Sequence, residues 1–235
     1  MKFEEIKMEL LKRARAANAC RMGYAMGLRS KNNVDLLKAI TGNFDWVFQK
    51  KIIDAKFLEE NFTSEELINA GIYTSGVYKV EDKTFIFACG SSTVEVYGSS
   101  TVKAYGSSTV KAYGSSTVKA YGYSTVEAYG YSTVEAYDYS TVKAYDYSTV
   151  EACDSAAVEV YGSSTVEAYG SSTVKAYDYS TVKAYGSSTV EAYGTAYLND
   201  FTGKITNPSG ESIIRDFRNK KIYIKKGTLE IIEVE

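Results

Sequence analysis

Residues 90–113 read GSSTVEVYGSSTVKAYGSSTVKAY, and the same eight-residue unit continues without insertion or deletion to Tyr193, thirteen copies in all. A fixed short period of this kind specifies a solenoid, in which one unit cannot bury its own apolar face and does so only by stacking on its neighbours. The slots of the unit differ in how much they vary. The first is Gly or Asp, the second Ser or Tyr, the third Ser, the fourth Thr, the fifth Val, the sixth Glu or Lys, the seventh Ala or Val and the eighth Tyr. Val never varies, from Val94 to Val190, whereas the third and fourth slots are Ala156 and Ala157 in one copy and the eighth is Cys153 in the copy before it.

Side chains alternate across a strand, so slots three, five and seven share one face and slots four, six and eight the other. A charge recurs at every sixth slot and cannot be buried thirteen times in a narrow interior. Ser, Val and Ala therefore point inward, and Thr, the charge and Tyr point outward. Gly or Asp followed by Ser or Tyr makes the corner, where glycine allows unusual backbone angles and Asp bonds to its own backbone.

Charge spacing sets the length of a coil, because the same slot in successive coils lies about 4.8 Å away and like charges there repel. Taking every second sixth slot gives Glu95, Lys111, Glu127, Lys143, Glu159, Lys175 and Glu191, an unbroken alternation of sign. The other set, Lys103, Lys119, Glu135, Glu151, Glu167 and Lys183, alternates less well. Two octapeptides per coil, about sixteen residues, is the period these charges favour over a three-sided coil. The small inward residues also let two sheets approach closely. The expected fold class is thus mainly β: a two-sided parallel β-solenoid, with a small N-terminal helical bundle and a C-terminal β cap.

On this reading the eighth-slot tyrosines form outward columns whose rings cover one another in successive coils. Those columns are the candidate interaction surface: Tyr105, Tyr113, Tyr121, Tyr129, Tyr137, Tyr145, Tyr161, Tyr169, Tyr177 and Tyr185. Tyr123, Tyr131, Tyr139, Tyr147 and Tyr179 add rings in the second slot. The plainer reading is that all these rings only cover the sheet edge near each corner. The segment ACGSSTVEVY at 88–97 returns as ACDSAAVEVY at 152–161, so eight octapeptides were duplicated together.

Outside the array the two ends differ. Residues 1–75 read as a helical domain. Ile6, Leu10, Ala14 and Ala17 make one stripe with Leu11 beside it, Asn33 is a cap for Leu36, Leu37 and Ile40 ahead of Gly42, and Asp54 is another cap. Thr63 and Glu66 have capping-box spacing, and the aromatic cluster around Trp46 is core material. Residues 76–89 read as a hairpin leading into the solenoid, which spans 90–201, and 202–235 as a β cap with strands at 213–217, 221–225 and 228–234. Arg218, Lys220, Lys221, Lys225 and Lys226 are expected to guard the cap's exposed edge.

Net charge is −2 over 235 residues, with neither the basic stripe of a nucleic-acid binder nor the acidity of a nucleic-acid mimic. There is no His, and Cys20, Cys89 and Cys153 form no CxxC pair, which suits reduced thiols in a cytoplasmic setting and disfavours a metal site. The first twenty residues hold no apolar run of signal-peptide or membrane-span length. Asp138, Asp146, Asp154 and Asp178 stand in the turn slot, with no calcium-loop pattern around them. No residue set reads as catalytic, cofactor-binding or metal-binding.

Two resemblances add to this. The Gly-Ser-Thr octapeptide with its Tyr column is similar to the repeat of bacterial ice-nucleation proteins, flat solenoids with sixteen residues per coil. That likeness covers residues 90–193 only, and here Glu or Lys stands where those repeats place the second small hydroxyl, which spoils an ice-ordering plane. The whole layout, with NFDWVFQKKIIDAKFLEE at 43–60, the STVEAY/STVKAY array and IYIKKGTLEIIEVE at 222–235, resembles octapeptide-repeat proteins of gut Bacteroidales and their phages. It implies no activity for any residue. The expected function is that of a non-enzymatic structural or assembly protein, a rigid spacer or self-association surface without cofactor. Its partner would be a further copy or a protein held by the N-terminal bundle, and its location the cytoplasm or a phage particle. The alternative is a module binding a repetitive ligand such as a glycan through Tyr and Thr columns, and after it an ice-binding-like protein. Nucleic acid and membrane are not expected partners.

Overall fold

A computed structural model describes residues 2–81, 85–205 and 208–224. Within these residues the strands alternate between two sheets, one of eleven strands and one of eight, until the last three follow one another in the longer sheet. The thirteen array strands run from β4 (Thr93–Tyr97) to β16 (Thr189–Ala192), with β5 at Thr101–Ala104 opening the array's share of the longer sheet. Each strand pairs in parallel with the one sixteen residues away: Thr141, Val142, Lys143 and Ala144 face Thr125, Val126, Glu127 and Ala128. The structure is a parallel β-solenoid with two octapeptides per coil, the period that the alternating charges favour.

Inward and outward slots fall as the charge argument demands. Third-slot Ser, fifth-slot Val and seventh-slot Ala are buried along the array, and their Val and Ala side chains belong to one continuous apolar cluster. A buried hydroxyl needs a partner. Several third-slot serines turn back to the carbonyl three residues earlier, as Ser132 does to Tyr129 at 2.8 Å and Ser148 to Tyr145 at 2.8 Å. The first slot takes a left-handed backbone throughout, at Asp138, Asp146, Asp154 and Asp178 as well as at the glycines. Asp tolerates this conformation better than most residues. It also uses its carboxylate: Gly122, Gly130 and Gly162 in the preceding coil donate their amides to Asp138, Asp146 and Asp178 at 2.9, 3.0 and 3.1 Å.

The solenoid is longer than its repeat. β2 (Val77–Glu81) pairs in parallel with β4, and β3 (Phe85–Ala88) with β5. Residues 76–89 therefore do not form the expected hairpin. They make the first coil, because Val80, Ile86 and Ala88 present the same inward stripe as the array without sharing its sequence. β1 (Ile72–Tyr73) extends the long sheet one strand further.

At the far end β17 (Tyr197–Asp200) and β18 (Ile213–Asp216) still add in parallel, and β19 (Lys221–Ile224) turns back antiparallel to β18 to close the cap. Buried Asp replaces Ala in the seventh slot here, and its carboxylate organises the departure from the repeat. Asp200 accepts from the amides of Thr202, Gly203 and Ile205, and Asp216 from the amide and side chain of Asn219. The expected strand at 228–234 and the cations Lys225 and Lys226 lie outside the described residues.

Six helices precede the strands: α1 (Phe3–Ala16), α2 (Arg21–Arg29), α3 (Asn33–Thr41), α4 (Phe44–Gln49), α5 (Ala55–Asn61) and α6 (Ser64–Asn69). Asp54 caps α5, and Thr63 and Glu66 form the capping box of α6. The cap of α3 is Asn32 and not Asn33. Asn32 is the extended residue whose side chain reaches the Asp35 amide, while Asn33 has entered the helix and donates to Glu66 at 2.8 Å. The helical core is not separate from the rod. Phe44, Val47, Ile53 and Leu58 share one buried cluster with Ile72, Phe87, Cys89 and Tyr105 of the first coils.

Candidate interaction surface

The candidate tyrosines form columns on two opposite edges of the rod. Where the chain passes from the short sheet to the long one, Tyr97, Tyr113, Tyr129, Tyr145, Tyr161, Tyr177 and Tyr193 stack without a break, centroids 4.9 to 5.1 Å apart and planes within 10°. On the other edge the column is divided. Tyr105, Tyr121 and Tyr137 stack, Cys153 follows, and the stack resumes through Tyr169, Tyr185, Phe201 and Phe217. Both arrangements follow from the ladder, since parallel strands about 4.8 Å apart hold equivalent rings at stacking distance.

Tyr105 does not belong to a free surface. It is only 4 % exposed, because α4 lies over it. Phe44 and Phe48 pack on its ring at 5.4 and 5.1 Å, and its hydroxyl donates to Asp45. Burial, with that hydrogen bond, pushes its phenol far above the usual range. The other nine tyrosines are partly exposed, and each has a neighbouring ring on at least one face.

The phenol hydroxyls follow a rule that the octapeptide contains. Slots six and eight lie on one face, and wherever slot six is Glu and slot eight is Tyr the phenol donates to the carboxylate: Tyr97 to Glu95, Tyr129 to Glu127, Tyr137 to Glu135, Tyr161 to Glu159, Tyr169 to Glu167 and Tyr193 to Glu191, at 2.7 to 3.3 Å. Burial and the Glu127 carboxylate push Tyr129 up to about 12, and the hydrogen bond to Glu167 does the same for Tyr169.

Most of these carboxylates also meet a lysine in an adjacent coil. Lys111 reaches Glu127 at 3.5 Å, Lys143 reaches Glu159 at 3.6 Å, and on the other sheet Lys119 reaches Glu135 at 2.6 Å and Lys183 reaches Glu167 at 2.9 Å. Lys79 of β2 precedes Glu95 in register and pairs with it at 3.6 Å, carrying the alternation one coil beyond the repeat.

On the imperfect face, Lys103 and Lys119 are like-charged neighbours in register, yet Lys103 turns to Asp45 of α4 at 2.6 Å. Glu135, Glu151 and Glu167 are also consecutive. The outer two have lysines; Glu151 is given only the Cys153 thiol, at 3.9 Å.

The most exposed rings are second-slot tyrosines, which stand outside the candidate columns. Tyr123 stacks on Tyr139 at 5.5 Å and Tyr131 on Tyr147 at 5.3 Å, on opposite edges, and all four are 59 to 69 % exposed. Their signal was replacement of a corner Ser by a large apolar ring, which no turn geometry requires.

Among the described residues no group of three or more His, Cys, Asp or Glu side chains is placed to hold a metal ion, and no helix is long and apolar enough to cross a membrane. Comparison with protein-family models, with curated proteins and with solved structures finds no match to this chain.

Proposed function

We propose that the chain is a non-enzymatic scaffold: a rigid rod that associates side by side with further copies through the tyrosines on its edges. The observation that carries this reading is the exposure of the pairs Tyr123–Tyr139 and Tyr131–Tyr147, aromatic area on both edges at corners where Ser serves equally well in most repeats. Exposed aromatic clusters of this kind are characteristic of protein contact surfaces. The eighth-slot columns suit a glycan less. A sugar stacks on an open ring face, and inside a column both faces are covered.

Changing Tyr123, Tyr131, Tyr139 and Tyr147 together to Ser tests the proposal, because Ser is the ordinary residue of that slot and leaves the coil intact. Light scattering after gel filtration is expected to show association of the parent chain and a monomeric variant. A parent that stays monomeric at its highest soluble concentration, or a variant that associates equally, overturns it. Glycan-array binding lost in the same variant would establish the ligand-binding alternative.

A further inference from the structure

The aromatic column on the α4 edge lacks one rung at Cys153. Tyr137 has a ring face covered by Tyr121, and Tyr169 has one covered by Tyr185, but their facing sides stand two strand spacings apart, about 10 Å, with only a thiol between them. That separation holds one more ring at the column's own spacing. The carboxylate beside this notch is Glu151, the array's one sixth-slot Glu with neither a lysine nor a phenol as partner, and it is exposed where Glu135 and Glu167 are half-buried. A groove of about 650 Å³ runs from α4 along this edge and includes Tyr137, Asp138 and Asp154 in its wall.

The chain itself shows what a missing rung receives. Cys89 occupies the same slot of the same column, 64 residues earlier in the duplicated segment, and it too leaves a ring face open, that of Tyr105. There the space is taken by aromatic side chains from a helix, Phe44 and Phe48 of α4, while Asp45 meets Lys103, the sixth-slot residue of the next coil. At the second notch that next-coil residue is Glu167 and the notch's own is Glu151, so the matching helix must bring positive charge instead.

Such a helical face is present in this molecule. α2 buries none of its residues; Leu28 is exposed, Tyr24 and Arg21 lie on the same face of the helix, and exposed Met8 and Arg15 of α1 stand beside them. Lys12, Arg15, Arg21 and Arg29 on α1 and α2 form no ion pair among the described residues. We propose that the Cys153 notch is a docking site for the basic, aromatic α1–α2 face of a second copy, repeating between molecules the contact that α4 makes with the Cys89 notch within one. Because the two faces differ, the contact is head-to-tail and propagates into an open chain or ring.

The proposal specifies a contact within the self-association proposed above, and variants separate the two. Cys153→Tyr restores the rung with the residue that twelve of the thirteen repeats carry, and Glu151→Lys keeps a residue common in its slot. Sedimentation velocity is expected to show the dissociation constant rising about tenfold or more in each. Arg21→Glu should weaken association similarly, and Arg21→Glu with Glu151→Lys should recover part of it. Unchanged association in both Cys153→Tyr and Glu151→Lys, with native circular dichroism, overturns the notch. If the four-Tyr variant alone dissociates, the edge reading stands without the notch; if the notch variants alone dissociate, the notch stands without it. A parent chain that never associates removes both.

Discussion

The Lys103 ammonium lies 2.6 Å from the carboxylate of Asp45, a residue 58 positions earlier. This ion pair relieves the like-charged neighbours Lys103 and Lys119 and fixes the helical region to the rod. Asp45 also accepts the Tyr105 hydroxyl. Burial works against its ionisation, but the Lys103 and Tyr105 hydrogen bonds prevail and hold it below the usual carboxylate range.

Replacing Asp45 with Ala should destabilise the chain by about 1–3 kcal/mol, the usual cost of losing hydrogen bonds to a charged group at a half-buried site, and should expose the α4 segment to proteases first. Because the folded Asp45 pKa is depressed, its contribution is present above the ordinary carboxylate pKa and disappears as pH falls through the folded value. The difference between parent and Asp45→Asn in urea unfolding should therefore shrink in acid and be steady at neutral pH.

Inward and outward slots should respond differently to truncation. Val142 is fully buried, and Val142→Ala should cost about 2 kcal/mol. Thr141 on the outer face should tolerate Ala within about 0.5 kcal/mol, as the array already does at Ala157. Thermal unfolding of the two variants side by side checks the assignment of faces.

At the corner, Asp146 holds a left-handed backbone and accepts the Gly130 amide of the preceding coil. Asp146→Ala should cost about 1–2 kcal/mol, since it loses the bond and keeps the strain. Asp146→Gly should cost less, because glycine relieves the strain that Ala retains. Equal losses in urea unfolding would mean that backbone conformation has no part in the choice of residue.

Alkali should loosen the rod in a defined window. Tyr129 and Tyr169 are raised to about 12 in the folded chain, against about 10 for a free phenol. A raised folded pKa contributes stability that is complete below the unfolded value and is lost as pH rises from there through the folded one. Tyrosinate absorbance should therefore appear later in the folded than in the denatured protein, and circular dichroism should fall as it appears. Glu127→Gln should bring the Tyr129 transition down by removing the nearby negative charge.

Thiol chemistry should rank the three cysteines by burial. Cys20 is exposed, Cys153 intermediate and Cys89 buried, its thiol pushed up to about 12 by burial and the Glu59 and Asp54 carboxylates. A disulfide-exchange reagent should modify Cys20 first and leave Cys89 until the chain unfolds.

Strand alternation places Val142 inside and Lys143 outside whatever surrounds them, and the sixteen-residue charge period needs only neighbouring coils. The stacking of Tyr113 on Tyr129 follows from the same ladder. Residues 76–89 carry the letters of a hairpin but form a coil, because Tyr78, Val80, Ile86 and Ala88 keep the inward stripe of the repeat without its letters, and a parallel partner sixteen residues away leaves no local signal. Asn32 and not Asn33 caps α3 because Asn32 keeps the extended backbone while Asn33 has entered the helix, a difference of backbone angles that two adjacent Asn letters do not carry.

From its sequence alone, then, this protein's cross-section was determined: which slots face the core, where the corners fall, how many octapeptides close a coil and which edges carry rings. These are short-range consequences of strand geometry, repeated identically. Tertiary structure alone decided what the breaks in the repetition do: α4 seated on Tyr105, Asp45 drawn to Lys103, and Glu151 beside Cys153 left with neither a lysine nor a phenol. Such contacts join non-repeating residues to single members of a repeating series, and the octapeptide's own letters do not say which member a distant helix will meet until the chain is folded.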